Sequence, residues 1–142
     1  MIVQGQTTVF KLNLLQGLEN FAVGTPYTYK IALYNAYAEL SNTTLAYTTV
    51  NEVTGTGYTA GGEVLTIIPP SSSDTANTSW VSFLPAIWNS ASFTTRGALI
   101  YNSTTGAAVF VLNFGSDKVA SNSTFTVQFP TADATNAILR IA

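Results

Sequence analysis

From Pro26 onward, apolar residues of this chain recur at every second position. Tyr27, Tyr29, Ile31 and Leu33 alternate with Thr28, Lys30, Ala32 and Tyr34, the pattern of a strand with one face turned inward. Phe125, Val127 and Phe129 repeat the pattern against Thr124, Thr126 and Gln128. Further strands are predicted over residues 63–68, 79–84, 96–101, 107–114, 123–129 and 137–141. The run Val109-Phe110-Val111-Leu112 is apolar on both faces, so its strand is expected to be central or covered twice. Residues 102–106 and 115–122 read as turns joining the last strands into a meander. About seven strands with turn signals every 8–12 residues predict a single-domain antiparallel β-sandwich over residues 1–142.

Two stretches break the alternation. Residues 1–21 read as one helix packed on the sheet, because Phe10, Leu14, Leu18 and Phe21 fall at spacings of four, four and three. Thr7 or Thr8 would cap it, and Gly17 would weaken its interior by about 1 kcal/mol. A helix lying on a membrane surface would carry several Lys or Arg on its polar face; this one has Lys11. Residues 35–50 have no clean period and read as a short helical turn followed by an extended segment. Pro69-Pro70-Ser71-Ser72-Ser73-Asp74 reads as unable to continue a sheet, so residues 69–78 are expected to form an exposed loop.

Charge is scarce. Only 12 of 142 residues are Asp, Glu, Lys or Arg, while 46% are apolar. A fold of this mass exposes about 7,000 Å², so charges stand at roughly one per 600 Å², far sparser than on an average soluble domain. Thr, Ser and Asn, 45 residues together, carry most of the solvation. Such a surface is neutral and polar, or is covered by other chains. A net charge of −2 with five scattered basic residues argues against nucleic acid, which needs clustered Lys and Arg. No apolar run approaches the roughly 20 residues of a membrane span, and the first residues carry no leader pattern.

Few residues offer chemistry. With no His and no Cys, nucleophilic triads lack their usual base and transition metals their usual ligands. Glu52 and Glu63, flanking a Gly-rich stretch, are the one carboxylate pair to consider for glycoside hydrolysis. Asp74, Asp117 and Asp133 each stand alone, and Asp so placed more often closes an Asx turn than binds calcium; Asp117-Lys118 resembles a pair at a hairpin tip. Gly55, Gly57, Gly61 and Gly62 lack the helix and Lys of a phosphate loop. No catalytic residue, cofactor or metal is therefore expected. Trp80, Trp88, Tyr27, Tyr29, Tyr34, Tyr37, Tyr47, Tyr58 and Tyr101 suit a sugar-stacking platform, an interface or, for most of them, the core.

Long strings carry a resemblance. Tyr29-Lys30-Ile31-Ala32-Leu33-Tyr34 leads to Tyr47-Thr48-Thr49-Val50-Asn51-Glu52-Val53-Thr54-Gly55-Thr56-Gly57-Tyr58-Thr59-Ala60-Gly61-Gly62. Later come Thr94-Thr95-Arg96-Gly97-Ala98-Leu99-Ile100-Tyr101-Asn102 and Leu112-Asn113-Phe114-Gly115-Ser116-Asp117-Lys118. With Phe125-Thr126-Val127-Gln128-Phe129-Pro130 and Ala132-Asp133-Ala134-Thr135-Asn136-Ala137-Ile138, they resemble a family of small structural proteins from the head or head–tail region of tailed bacteriophage virions. The resemblance runs from Phe10 to the C-terminus, weakens between Pro69 and Ser92, and does not include the Pro-Pro-Ser-Ser-Ser insert. It implies a non-enzymatic virion protein made in a bacterial cytoplasm, foremost a decoration or cement protein on the capsid surface. The implied partners are the major capsid protein or other virion proteins, and a homo-oligomer, by analogy a trimer. A neck or tail component, or a carbohydrate-binding module aiding adsorption, are the alternatives. Tyr27, Tyr58, Pro69, Pro70 and Asp74 are the candidate interface residues.

Overall fold

The computed structural model describes all 142 residues as two antiparallel sheets and one helix. The elements are β1 (Gly5–Gln6), α1 (Thr8–Leu15), β2 (Tyr29–Tyr34), β3 (Glu63–Val64), β4 (Ile67–Ser73), β5 (Thr78–Phe83), β6 (Ala86–Asn102), β7 (Ala108–Val127) and β8 (Leu139–Ile141). One sheet has the order β1-β7-β6-β2-β3, the other β4-β5-β8. The chain is thus a mainly β sandwich, with eight strands, two of them only two residues long.

The five-stranded sheet is buried on both faces. Tyr29, Ile31 and Leu33 of β2 pack with Val81 and Phe83 of β5 and Leu139 of β8 in the larger core. Ala32 and Tyr34, on the opposite face, pack with Leu99, Tyr101 and Val111 beneath Ile2, Ala38 and Leu40. This double cover is why β2 is almost wholly buried and why Val109–Leu112 is apolar throughout. The second cover is chain without regular structure. Val3 N donates to Leu40 O at 2.8 Å, and Tyr47 N to Gly106 O at 3.0 Å. Residues 35–50 form no helix; two single turns, closed by Ala38 N to Asn35 O at 3.2 Å and Thr44 N to Ser41 O at 3.1 Å, punctuate a segment that lies across the sheet through isolated bridges at Leu40 and Ala46.

The helix is shorter than its apolar spacing predicts. Thr7 caps it, its Oγ1 accepting from Phe10 N at 3.2 Å and donating to Ala108 O at 2.9 Å. Gly17, at φ +72°, ends it. Leu18 N bonds back to Asn13 O and Gly17 N to Leu14 O, the paired bonds of a glycine-terminated helix. Gly17 thus stops the helix instead of weakening its middle. Phe21 is buried, but outside the helix, while Leu15 is 87% exposed.

Two further readings are corrected. Pro69 and Pro70 are exposed, as expected, but lie inside β4 rather than in a loop. β4 is an edge strand, and its pairing with β5 skips between Ile68 and Ser71. An edge with a bulge is where proline does not remove a needed hydrogen bond, and here it also blunts the edge. Residues 115–122 are likewise not a turn. They belong to β7, which pairs with β6 from Ala86↔Val127 to Tyr101↔Ala108 through four register shifts. Gly115 (φ +81°) and Asn122 (φ +46°) sit in two of the resulting bulges. Bulges use the same positive-φ residues as turns, which is why the sequence reads as punctuated. Asp117 is consequently mid-strand, not at a tip. It accepts from Arg96 Nε at 2.8 Å on the exposed face, a contact worth no more than about 1 kcal/mol.

Candidate functional site

Asn51, at φ +61°, turns the chain so that Glu52 runs beside β2. Val53 N donates to Leu33 O at 2.9 Å and Asn35 N to Asn51 O at 3.0 Å, which points the Glu52 side chain beneath the glycine loop. The carboxylate is buried and surrounded by donors. Oε1 accepts from Tyr58 OH at 2.6 Å and Gly61 N at 2.7 Å, and Oε2 from Tyr47 OH at 2.7 Å. Tyr58 OH itself accepts from Leu33 N at 2.9 Å. Tyr101 OH donates to Gly61 O at 2.8 Å, and its ring stacks on Tyr47 at 4.6 Å. One carboxylate thus ties loop 53–62 and the 35–50 cover to the central sheet.

Chemically this is a clamp. Burial, then the neighbouring Glu52, push the hydroxyls of Tyr34, Tyr47 and Tyr58 well above their ordinary value near 10, and Tyr101 is raised for the same reasons. All four stay protonated near neutrality and act as donors. Glu63, the intended partner of Glu52 in an acid–base pair, is exposed at the sheet edge on β3, where it pairs with Ile31. The two carboxylates are split between a saturated buried site and solvent.

A second buried carboxylate escapes sequence reading. Glu19, placed by its spacing on the polar side of a helix, is only 6% exposed. Its Oε2 accepts from Tyr29 OH at 2.7 Å and Asn102 Nδ2 at 3.1 Å, while Asn102 Oδ1 holds the turn at Thr104 N and Thr105 N. Burial, then the bond to Glu19, raises Tyr29 as well. Glu19 Oε1 has no partner. Nothing local in the sequence marks Glu19, since its partners lie ten and eighty-three residues away.

The remaining candidates scatter. Trp88 is 1% exposed and packs with Phe125 and Tyr58; only Tyr37 among the named aromatics is exposed, at 80%, with Tyr27, Tyr47, Tyr58 and Trp80 half-buried. The sugar-stacking platform does not form. Of the candidate interface residues, Tyr27 and Tyr58 pack against the larger core, whereas Pro69, Pro70 and Asp74 are exposed on β4 and the turn after it. Asp133 closes an Asx turn: the Asn136 side-chain amide donates to both its carboxylate oxygens, Thr135 N and Asn136 N donate to Oδ1, and these bonds hold its carboxyl below the ordinary range. No three acidic side chains converge as metal ligands, and no helix is long and apolar enough to cross a membrane. Comparison with protein families, with curated proteins and with solved structures finds no match to the chain.

The tyrosines predict a sharp alkaline limit. Below about pH 10 they are protonated in both folded and unfolded chains. Above it the unfolded chain ionises while Tyr29, Tyr34, Tyr47, Tyr58 and Tyr101 resist. Raised folded values mean stability is fully present below pH 10 and is lost as pH climbs toward those values. Tyr47, half in solvent, contributes less than its shift alone implies. The share of tyrosinate absorbance due to these five should then appear in one cooperative step coincident with loss of circular dichroism. Independent titration of these five on an intact fold would contradict the clamp.

Proposed function

We propose that this chain is a non-enzymatic structural protein of a tailed-phage virion, foremost a decoration or cement protein seated on the capsid. The observation that carries the reading is the surface. Glu19 and Glu52 are buried, leaving ten charged side chains over 7363 Å², while fourteen large apolar side chains stand exposed. Leu12, Leu15, Leu18 and Val23 follow one another along α1 and the segment after it, exposed by 48 to 87%. An isolated soluble domain is better served by charge at such positions; contact with major capsid or other virion proteins, and with copies of itself, would cover them. The resemblance of the Gly-Thr-Gly-Tyr and Arg-Gly-Ala-Leu-Ile-Tyr strings to virion proteins supports the same reading. The clamp at Glu52 fits it too, because it stiffens a loop rather than opening a site.

Cement proteins stabilise by linkage, since what binds the assembled shell but not its separated subunits favours the shell. Interfaces of 1,200–2,000 Å² repeated over a shell suffice. Particles lacking the protein are expected to assemble with normal geometry yet break at lower temperature or osmotic stress. Adding purified protein should restore resistance saturably and with weak salt dependence, because few charges steer it. On the order of hundreds of copies per particle is expected for decoration. About six or twelve would move the reading to a neck or tail ring. Equal robustness with and without the protein would end the cement reading.

A further inference from the structure

Between α1, the segment after it and the three-stranded sheet lies a cavity of about 290 Å³. Phe10 and Leu14 of α1, Phe21, and Val81, Leu139 and Ile141 of the sheet line it. Phe10, Phe21, Val81 and Leu139 belong to the larger core, so the opening reaches into the sandwich. Close-packed interiors leave few voids larger than a water molecule. Water is a poor filler here, because a buried water needs several polar partners and apolar cavities stay dry. A cavity of about 150 Å³ takes benzene, so this one has room for a ring with a short alkyl chain.

Neither charged residue on the lining offers a ligand its charge. Arg140 pairs with Trp80 across β8 and β5, and Leu139 with Val81. Side chains alternate along a strand. With Val81 and Leu139 directed into the core, Trp80 and Arg140 therefore project to the opposite face. The Arg140 guanidinium accordingly donates to Ala134 O at 3.2 Å. Glu19 is committed as well: Oε2 accepts from Tyr29 OH and Asn102 Nδ2, and Oε1 is closed off by the surrounding chain. A charged ligand would lose its hydration here and meet no opposite charge.

We propose that this cavity binds a small neutral hydrocarbon-like molecule, of the size and kind of an alkylbenzene, held by apolar contact alone. Phe10 and Phe21 stand edge to face with centroids 6.0 Å apart, and such an aromatic wall favours a ring over a bare alkyl chain. Apolar walls of this make-up are usual for small-molecule sites. The site is independent of the virion reading and stands or falls separately.

The test titrates toluene into the folded protein and follows backbone amide shifts by NMR. Saturable shifts centred on α1, β5 and β8 are expected, with a Kd of about 1 mM or below. n-Propylbenzene, two methylenes longer, should bind about tenfold more tightly. Phenol, the polar isostere of toluene, should bind at least about fivefold more weakly, and benzoate and benzylamine more weakly still. Leu14→Trp, which fills the cavity from the helix side, should remove binding. Leu15→Trp, at a position 87% exposed on the same helix, should leave it unchanged. If Leu14→Trp does not fold, the ligand series on the unaltered protein decides the matter. Phenol binding at least as tightly as toluene would assign the site to Gln6 or Ser79, which also border it. Benzoate or benzylamine binding above toluene would mean that Arg140 or Glu19 faces the cavity after all. Unchanged binding in a folded Leu14→Trp would place the ligand elsewhere, and no saturable shift up to about 5 mM toluene would mean that the space is closed to ligands; each overturns the proposal.

Discussion

Gly62→Ala should destabilise the protein by about 4 kcal/mol or more, the largest effect expected of any single methyl group added to it. Gly62 lies where the loop from Glu52 returns to the sheet, its N–H bonded to Thr59 O and the next residue paired with Ile31. A Cβ there would stand 1.8 Å from Ile31 O and 2.8 Å from Ala32 Cα. Those atoms belong to β2, fully buried between two cores, so they cannot yield. The backbone at φ +76° adds strain of its own. Gly115→Ala is the control, because Gly115 has φ +81° but nothing within 4 Å of a Cβ. It should cost only about 1 kcal/mol. Urea midpoints of the two variants separate steric approach from backbone strain. Equal costs would mean that the loop does not press on β2 as described.

That glycine illustrates what the sequence can and cannot disclose. Alternation revealed the strands, and apolar residues on both faces of 109–112 revealed that the sheet is covered twice. These are local signals with a fixed period. Gly55, Gly57, Gly61 and Gly62 read only as loop punctuation, yet Gly55, Gly57 and Gly62 are required by backbone of β2 or β6 pressing against them. That approach is a tertiary fact. The bulges of β7 failed for a related reason: Gly115 and Asn122 take positive φ in a strand as readily as in a turn, and only the partner strand distinguishes the two. Proline in β4 misled because edge position is set by sheet order, which no local pattern encodes. The candidate sites followed the same division. Glu52 flanks the glycine stretch in the sequence, but the pair it suggests with Glu63 does not form, and no local pattern marks Glu19, whose partners are remote. Aromatic richness was visible, but whether a tyrosine faces sugar or a carboxylate depends on what the fold brings beneath it.

The Glu52 clamp makes the second large prediction. Glu52→Ala would strip acceptors from Tyr47 OH, Tyr58 OH and Gly61 N at once. Each buried donor left unpaired costs about 1–3 kcal/mol. Tyr47, half-exposed, can turn to water, so the expected total is about 4 kcal/mol rather than the full sum. Glu52→Gln should cost about half as much. Its carbonyl oxygen can keep Tyr58 and Gly61, and its amide can donate to the Tyr47 hydroxyl. Tyr58→Phe should cost about 2 kcal/mol, because it takes a donor from Glu52 and the acceptor from Leu33 N. The three groups form one network, so the Glu52→Ala, Tyr58→Phe double variant should lose well under the sum of the two single losses. Strict additivity would show that the hydroxyl and the carboxylate do not share a bond. Hydrogen exchange adds a spatial check: in Glu52→Ala the amides of Gly61, Gly62 and Leu33 should lose protection before those of β6 and β7. A loss spread evenly over the whole sheet would instead make Glu52 an ordinary core residue, and the loop it holds would need another anchor.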